Sequence, residues 1–253
     1  MLDANISPPV NLRDLAVLLD VDGTILDIAP TPHDVRVPPA LRRSLESLAQ
    51  QSGGAVALVS GRPVTDIDRL FAPLQLPALG GHGAEIRLQP DGVAQALATP
   101  LALGLRQQVS AITAYDPGIL VEDKGYALAV HYRLAPEQEP IIKAAVAAIQ
   151  ADWGPDGVDI LPGKAVIEIK AKGFDKGMAI RELMRHQPFA DRRPIFIGDD
   201  ITDDAAFAVL PEFRGVGFSV GRQVPGTAHC FDAPADVRRW LQALSDGTGT
   251  LRP

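Results

Sequence analysis

Residues 15–20 read LAVLLD, five apolar residues in succession closed by an aspartate. A half-wet strand alternates apolar and polar side chains, so an unbroken run predicts a strand buried on both faces. The same texture returns in GAVALVS at 54–60 and RPIFIGDD at 193–200, and more weakly in GVGFSV at 215–220. Helical patterns separate these runs. Pro38 and Pro39 open one in which Leu41, Leu45 and Leu48 recur at helical spacing, and Pro63 opens another. DKGMAIRELMRHQ and ADVRRWLQALSD complete the set. Strands alternating with helices predict an α/β fold with a parallel sheet covered on both sides.

Between residues 102 and 172 the pattern changes. LGLRQQVSAITAYD reads as a helix followed by two short strands, GILVED and YALAVHYRL. PEQEPIIKAAVAAIQADW repeats that order with GVDIL and KAVIEIKA. Helix-strand-strand twice over predicts a smaller α+β domain with antiparallel pairs, inserted as a cap into a core built from residues 1–101 and 173–253. Pro100, Gly104 and Gly173 mark the two crossings as hinges.

The chain carries 24 Lys and Arg against 31 Asp and Glu, a formal net charge of −7. That balance argues against nucleic acid or an anionic membrane as partner, because both need clustered cations. Any anion must be held locally. Cys230 is the single cysteine, which excludes an internal disulfide framework and a cysteine-based zinc site and predicts a reducing, cytoplasmic setting. MLDANISPPVNLRD lacks the pattern of a signal peptide, and no apolar run approaches the roughly 18 residues of a membrane span. The expectation is a soluble monomer acting on a small molecule.

Open parallel sheets bind ligands beyond the carboxyl ends of their strands. The three best strands run out there into Asp20 and Asp22, Ser60 and Arg62, and Asp199 and Asp200. Each group alone reads equally well as a cap or turn residue; their convergence on one sheet edge favours a site. Asp20 and Asp22, two apart in extended chain, point the same way and repel unless a cation joins them. Mg²⁺ fits, since it takes one or two carboxylates with waters and substrate phosphate. Asp199 and Asp203, in GDDITDD, complete or orient that site. Gly23 and Gly61 allow close backbone approach, and the helix after Pro63 offers N–H groups to a phosphate. Thr24 and Ser60 offer hydroxyls, and Lys176 a compensating charge.

These stretches resemble the haloacid dehalogenase (HAD) superfamily of phosphatases, whose four motifs occur in order: DVDGT, Ser60 in SGR, Lys176 in DKG, and GDDITDD. The resemblance implies a HAD-like Rossmannoid core in which Asp20 attacks phosphorus to form an aspartyl-phosphate. It implies Asp22 as acid and base, phosphate contacts from Thr24, Ser60, Gly61 and Lys176, and Mg²⁺ held by Asp20, Asp199 and the backbone carbonyl of Asp22, with Asp203 as the further acid.

In the cap, alternation puts Ala127, Ala129, His131 and Arg133 on one face, and Lys164, Val166, Glu168 and Lys170 on another. Those faces read as the wet side of a small sheet, or as a platform for sugar hydroxyls that closes over the core. DVDGTILDIAPTP, ALVSGRPVTDID, GGHGAEIR, VEDKGYALAVHYR, GKAVIEIK, KGFDKGMAI and IFIGDDITDDAAF are similar to the trehalose-6-phosphate phosphatase family across almost the whole chain. GHGAE and HYR separate it from relatives that share only the four superfamily motifs. The likeness implies trehalose 6-phosphate as substrate, with contacts from His82, Glu122, Lys124, His131, Arg133, Lys164 and Glu168. Arg62 either touches substrate phosphate or braces the helix after it. Asp204 departs from the glutamate expected there, which puts its contact in doubt. The alternatives are another sugar phosphatase or phosphosugar mutase of this fold, and a sugar-phosphate-binding protein without catalysis.

Overall fold

The computed structural model describes residues 11–29, 34–154, 157–163 and 165–250. In chain order the first part of the core comprises β1 (Leu15–Asp20), α1 (Pro39–Ser52), β2 (Val56–Val59), α2 (Val64–Phe71), β3 (Ala78–Gly80), β4 (Glu85–Arg87) and β5 (Gln95–Ala96). The cap follows with α3 (Leu103–Ser110), β6 (Leu120–Asp123), β7 (Ala127–His131), α4 (Glu139–Trp153), β8 (Val158–Gly163) and β9 (Val166–Ala171). The core resumes with α5 (Lys176–Leu183), β10 (Arg193–Gly198), α6 (Asp204–Val209), β11 (Val216–Val220), β12 (His229–Phe231) and α7 (Pro234–Ser245).

The large sheet has the order β12-β11-β10-β1-β2-β3-β4-β5. It is parallel from β12 to β3, and β4 and β5 add two antiparallel edge pairings. The unbroken apolar texture of β1 has a direct structural cause. Val17 and Leu19 pack to one side with Leu41, Leu45 and Leu48 of α1 and Val237, Trp240 and Leu241 of α7. Ala16 and Leu18 pack to the other with Ile180 and Leu183 of α5 and Phe207 of α6. Leu18 and Leu19 are both wholly buried, each stabilising the fold by about 1.5–3 kcal/mol relative to exposure.

β1 lies between β10 and β2, with Leu19 opposite Ile197 and Asp20 opposite Val59. The chain leaves β1 toward β2 and later returns on its other side as β10, so the strand order reverses at β1. Such a switch point leaves a crevice at the strand carboxyl ends. Asp20, Ser60 and Asp199 all emerge there.

The four cap strands pair antiparallel in the order β6-β7-β9-β8. Leu128, Val130, Ile167 and Ile169 turn toward α3 and α4, where they meet Leu105, Val109, Ile142 and Val146. The alternating residues form the opposite face: Glu122 stands beside Ala129, and Ala129 beside Glu168. That polar face turns to the core.

Some expectations change in detail. β3, β4, β5 and β12 are short strands that the sequence pattern does not reveal. The helix expected through Asp116 ends at Ser110 and tightens into a 3-10 turn over Ala111–Tyr115. Among the described residues no helix is long and apolar enough to cross a membrane.

Candidate active site

Asp20 closes β1 and is 5% exposed. Beyond it the chain folds sharply, with the N–H groups of Ile25 and Leu26 both donating to the carbonyl of Val21. Gly23 turns at φ +84, a conformation that side chains disfavour, and a Cβ there would lie 2.1 Å from Asp199 Oδ2. The loop after Asp20 can therefore press against the acidic loop. Thr24 Oγ1 completes that contact by donating to Asp199 Oδ1 at 2.9 Å.

Asp175 caps α5 by accepting from Met178 N–H, which places Lys176 in the first helical turn. The helix dipole disfavours a cation there, so the carboxylates around it explain its placement. Lys176 Nζ donates to Asp20 Oδ1 at 2.7 Å and to Asp203 Oδ1 at 2.6 Å. Burial alone would push the ammonium down, but the charges of Asp20 and Asp203 outweigh it and hold Lys176 protonated. Asp20 is raised well above the usual carboxylate range, chiefly by burial and against the pull of Lys176.

The other oxygen of Asp203 accepts the N–H groups of Asp199 at 2.9 Å and Asp200 at 3.0 Å. This wholly buried side chain ties the lysine to the backbone of the acidic loop. Burial and the charge of Asp203 push Asp199 up to about 6. Carboxylate oxygens of Asp20, Asp199 and Asp203 lie within 4.8 Å of one another. Three acids, two of them buried, against one lysine leave negative charge in excess, and all the donors are hard oxygens. Such a group could hold a divalent cation.

The neighbouring loop brings Ser60 and Arg62 beside the same strand end. Ser60 is buried and accepts the N–H of Arg62 at 3.1 Å. Arg62 forks onto Asp22, its Nε and Nη2 donating at 2.6 and 2.8 Å. Asp22 is thus paired with a guanidinium and is not one of the three acids that converge. At the helix end after Pro63, the Val64 N–H donates to Glu85 Oε2 at 2.8 Å. Glu85 belongs to GHGAE, so that motif caps a helix in addition to carrying His82.

His82 adopts a left-handed φ of 57 and lies directly over Gly61, where a Cβ would meet its ring at 2.5 Å. Its Nε2 stands 2.7 Å from Glu168 Oε2 in the cap, and Lys124 Nζ donates to Glu168 Oε1 at 2.8 Å. Nδ1 of His82 is buried without a hydrogen-bond partner, so the Glu168 contact orients the ring. A second group, Glu122 with His131 at 3.0 Å, faces Arg62. Arg133 Nη1 reaches the carbonyl of Ala29 in the core at 3.0 Å. Lys164 lies outside the described residues.

A cavity of about 280 Å³ separates cap from core beside Lys176, lined by His82, Asp159, Leu161, Lys170 and Phe174 among others. A larger one of about 710 Å³ lies at the opposite end of the sheet, near Arg13, Arg192 and Arg214. It is remote from every carboxylate of the cluster, so size does not decide the site here.

The sequence matches the trehalose-phosphatase family over residues 18–232. The chain belongs to that family. A probable trehalose-phosphate phosphatase of Sinorhizobium fredii is 43% identical over 222 residues, covering 86% of this chain and 82% of the relative. The trehalose-6-phosphate phosphatase of Escherichia coli is 36% identical over 232 residues, covering 91% of this chain and 86% of that one. The C-terminal domain of a Candida albicans trehalose-6-phosphate phosphatase shares the fold at a TM-score of 0.81 and 21% identity, with 92% of each chain covered. The core and cap have the HAD fold.

Within this trehalose-phosphatase fold, two further side chains border the site, Lys170 at the end of GKAVIEIK and Arg222 outside every quoted stretch. Lys170 lines the cavity, with Nζ donating to the carbonyl of Phe174 at 2.6 Å and lying 4.4 Å from its ring centre. Its alternation with Glu168 placed it on the polar face, but not at the cavity. Arg222 clasps the acidic loop from outside, and nothing in its flanking sequence signals that. Asp204, the departure from the expected glutamate, pairs with Arg222.

Proposed function

We propose that this chain hydrolyses trehalose 6-phosphate to trehalose and inorganic phosphate. One observation carries the reading: Asp20, Lys176 and the acidic loop meet at the sheet edge directly beneath the polar face of the cap. In the first step an oxygen of Asp20 bonds to phosphorus while the bond from phosphorus to the sugar oxygen breaks. Asp22 gives that leaving oxygen its proton. Water then attacks the aspartyl-phosphate, passes a proton to Asp22, and phosphate leaves as the bond to Asp20 breaks. Two displacements replace one difficult hydrolysis, with a single carboxyl moving the proton both ways.

The residues around these atoms support the roles. Lys176 favours the ionised Asp20 that a nucleophile requires, against the effect of burial. Arg62 forks onto Asp22 and fixes the direction of its carboxyl. Ser60, Thr24 and the backbone at Gly61 border the position of the phosphoryl group. Asp20 and Asp199 would hold Mg²⁺ with the Asp22 carbonyl, while Asp203, whose two oxygens are occupied by Lys176 and the loop amides, orients them. Bound there, Mg²⁺ neutralises charge on the transferring phosphoryl group. Lys124, Glu168, Glu122, His131, Arg133 and His82 supply hydrogen bonds for the sugar, and closure of the cap excludes water. A chain with one cysteine has no internal disulfide to protect, which supports a cytoplasmic setting.

The test is phosphate release, with and without Mg²⁺, from trehalose 6-phosphate, glucose 6-phosphate, sucrose 6-phosphate and mannose phosphates. Release from the first alone, dependent on Mg²⁺, is expected. Comparable rates across the panel would remove the assignment to one disaccharide.

A further inference from the structure

β11 ends at Val220, and Gly221, at φ +66, turns the chain back across the acidic loop. Glycine takes this left-handed conformation without steric penalty. The next residue, Arg222, donates from Nε to the carbonyl of Asp199 at 2.8 Å and from Nη2 to the carbonyl of Asp200 at 2.6 Å. Nη2 also pairs with Asp204 Oδ1. The backbone bearing this side chain is itself anchored to β12: Gly221 N–H donates to the Phe231 carbonyl at 2.8 Å, and the Cys230 thiol to the Arg222 carbonyl at 3.2 Å.

Asp199 and Asp200 are thus held twice. Their N–H groups point inward to Asp203, and their carbonyls point outward to Arg222. The loop carries Asp199, Asp200, Asp203 and Asp204 in close succession, and the guanidinium offsets their mutual repulsion. The Arg222–Asp204 pair contributes little by itself, since its side chains are 34% and 49% exposed. The carbonyl bonds matter more, because fixing those peptides fixes the direction of the Asp199 carboxylate toward Asp20. A planar fork holds its donors in fixed directions toward three acceptors, whereas a lysine ammonium on a flexible stem fixes none of them.

We propose that Arg222 is a positioning residue for the metal site, holding the Asp199–Asp200 backbone so that the Asp199 and Asp20 carboxylates converge and thereby setting the affinity for Mg²⁺. The proposal rests on the reading of that cluster as a Mg²⁺ site. Groups that orient metal ligands typically change affinity by about 10–100-fold when removed.

The experiment is calorimetric titration of the metal-free protein with MgCl₂ alone, in the parent and in Arg222→Lys, Arg222→Met and Asp204→Asn. Arg222→Met is expected to weaken the Mg²⁺ dissociation constant by about 10–100-fold and Arg222→Lys by an intermediate factor. Asp204→Asn, which keeps both carbonyl bonds, is expected to weaken it by about threefold or less. Melting temperatures in EDTA should stay near the parent, separating positioning from loss of fold; if Arg222→Met does not fold, Arg222→Lys decides. Equal Mg²⁺ affinity in parent and Arg222→Lys overturns the positioning role while leaving the metal site intact. Asp204→Asn as weak as Arg222→Met also overturns it, because charge and not peptide orientation would then be the cause. A parent that binds no Mg²⁺ removes the metal site and this role together.

Discussion

The imidazole of His82, on the core, meets the carboxylate of Glu168, on the cap, at 2.7 Å, and Lys124 holds the same carboxylate from the cap side. Burial alone would raise Glu168, but the charges and hydrogen bonds of His82 and Lys124 hold it well below the usual carboxylate range. A carboxylate depressed in the folded state adds stability above its unfolded value, near 4.3, and loses that stability as pH falls toward its folded value. Glu168→Gln should therefore lower the melting temperature at pH 7, with the gap to the parent narrowing below about pH 4. Melting curves across that range provide the check; a gap independent of pH would contradict it.

Asp199 has the opposite sign. Burial and Asp203 raise it to about 6, so the folded protein holds a proton there that the unfolded chain releases near 3.9. Without metal, this carboxyl makes the fold progressively less stable as pH rises from about 4 to above 6. Asp199→Asn should stabilise the metal-free protein at pH 8 by on the order of 2 kcal/mol and have no such effect at pH 4. Mg²⁺ should raise the melting temperature of the parent and not that of the variant. Urea unfolding at the two pH values, with and without MgCl₂, measures both effects.

Lys176 lies between two buried carboxylates, and its removal leaves both unpaired. Lys176→Met should lower unfolding free energy by about 3–5 kcal/mol and abolish phosphate release. Folded but inactive protein at low temperature, measured by circular dichroism beside the phosphate assay, is the expected outcome. Retained release would remove Lys176 from the machinery.

Gly61 packs against the His82 ring so closely that an alanine methyl must displace it. Gly61→Ala should destabilise the protein by about 1–3 kcal/mol and weaken the contact to Glu168. The imidazole proton signals of His82 report that displacement. Unmoved signals would show that the loop yields in place of the ring.

What the sequence made legible follows from how much of each feature is local. β1, β2 and β10 are buried on both faces, so five or six consecutive apolar residues announce them. β3 and β5 are three and two residues long, too short to establish any period. The polar cap face was legible because alternation fixes facing, and the pairing of Ala129 with Glu168 has the expected sides together. The fork of Arg62 onto Asp22 spans 40 positions and depends on β1 and β2 being neighbours, so no local pattern announces it. The grip of Arg222 on Asp199 is equally invisible, since it depends on two strand-end loops meeting in space. The amino end of α2 looked open to phosphate only because Glu85, which caps it, comes from another strand.

The strand carrying Asp20 finds its partner β10 late in the chain: Leu15 lies opposite Arg193, a separation of 193 − 15 = 178 positions. The cap sheet closes entirely within Leu120–Ala171. Loops that long are slow to close, and local pairings form first. During synthesis the cap sheet can take shape while Asp20 still lacks Lys176, the acidic loop and one flank of its strand. A chain ending at Ala171 would hold every strand of the cap sheet and none of Lys176, Asp199 and Asp203, so the acidic cluster depends wholly on the last stretch of the polypeptide.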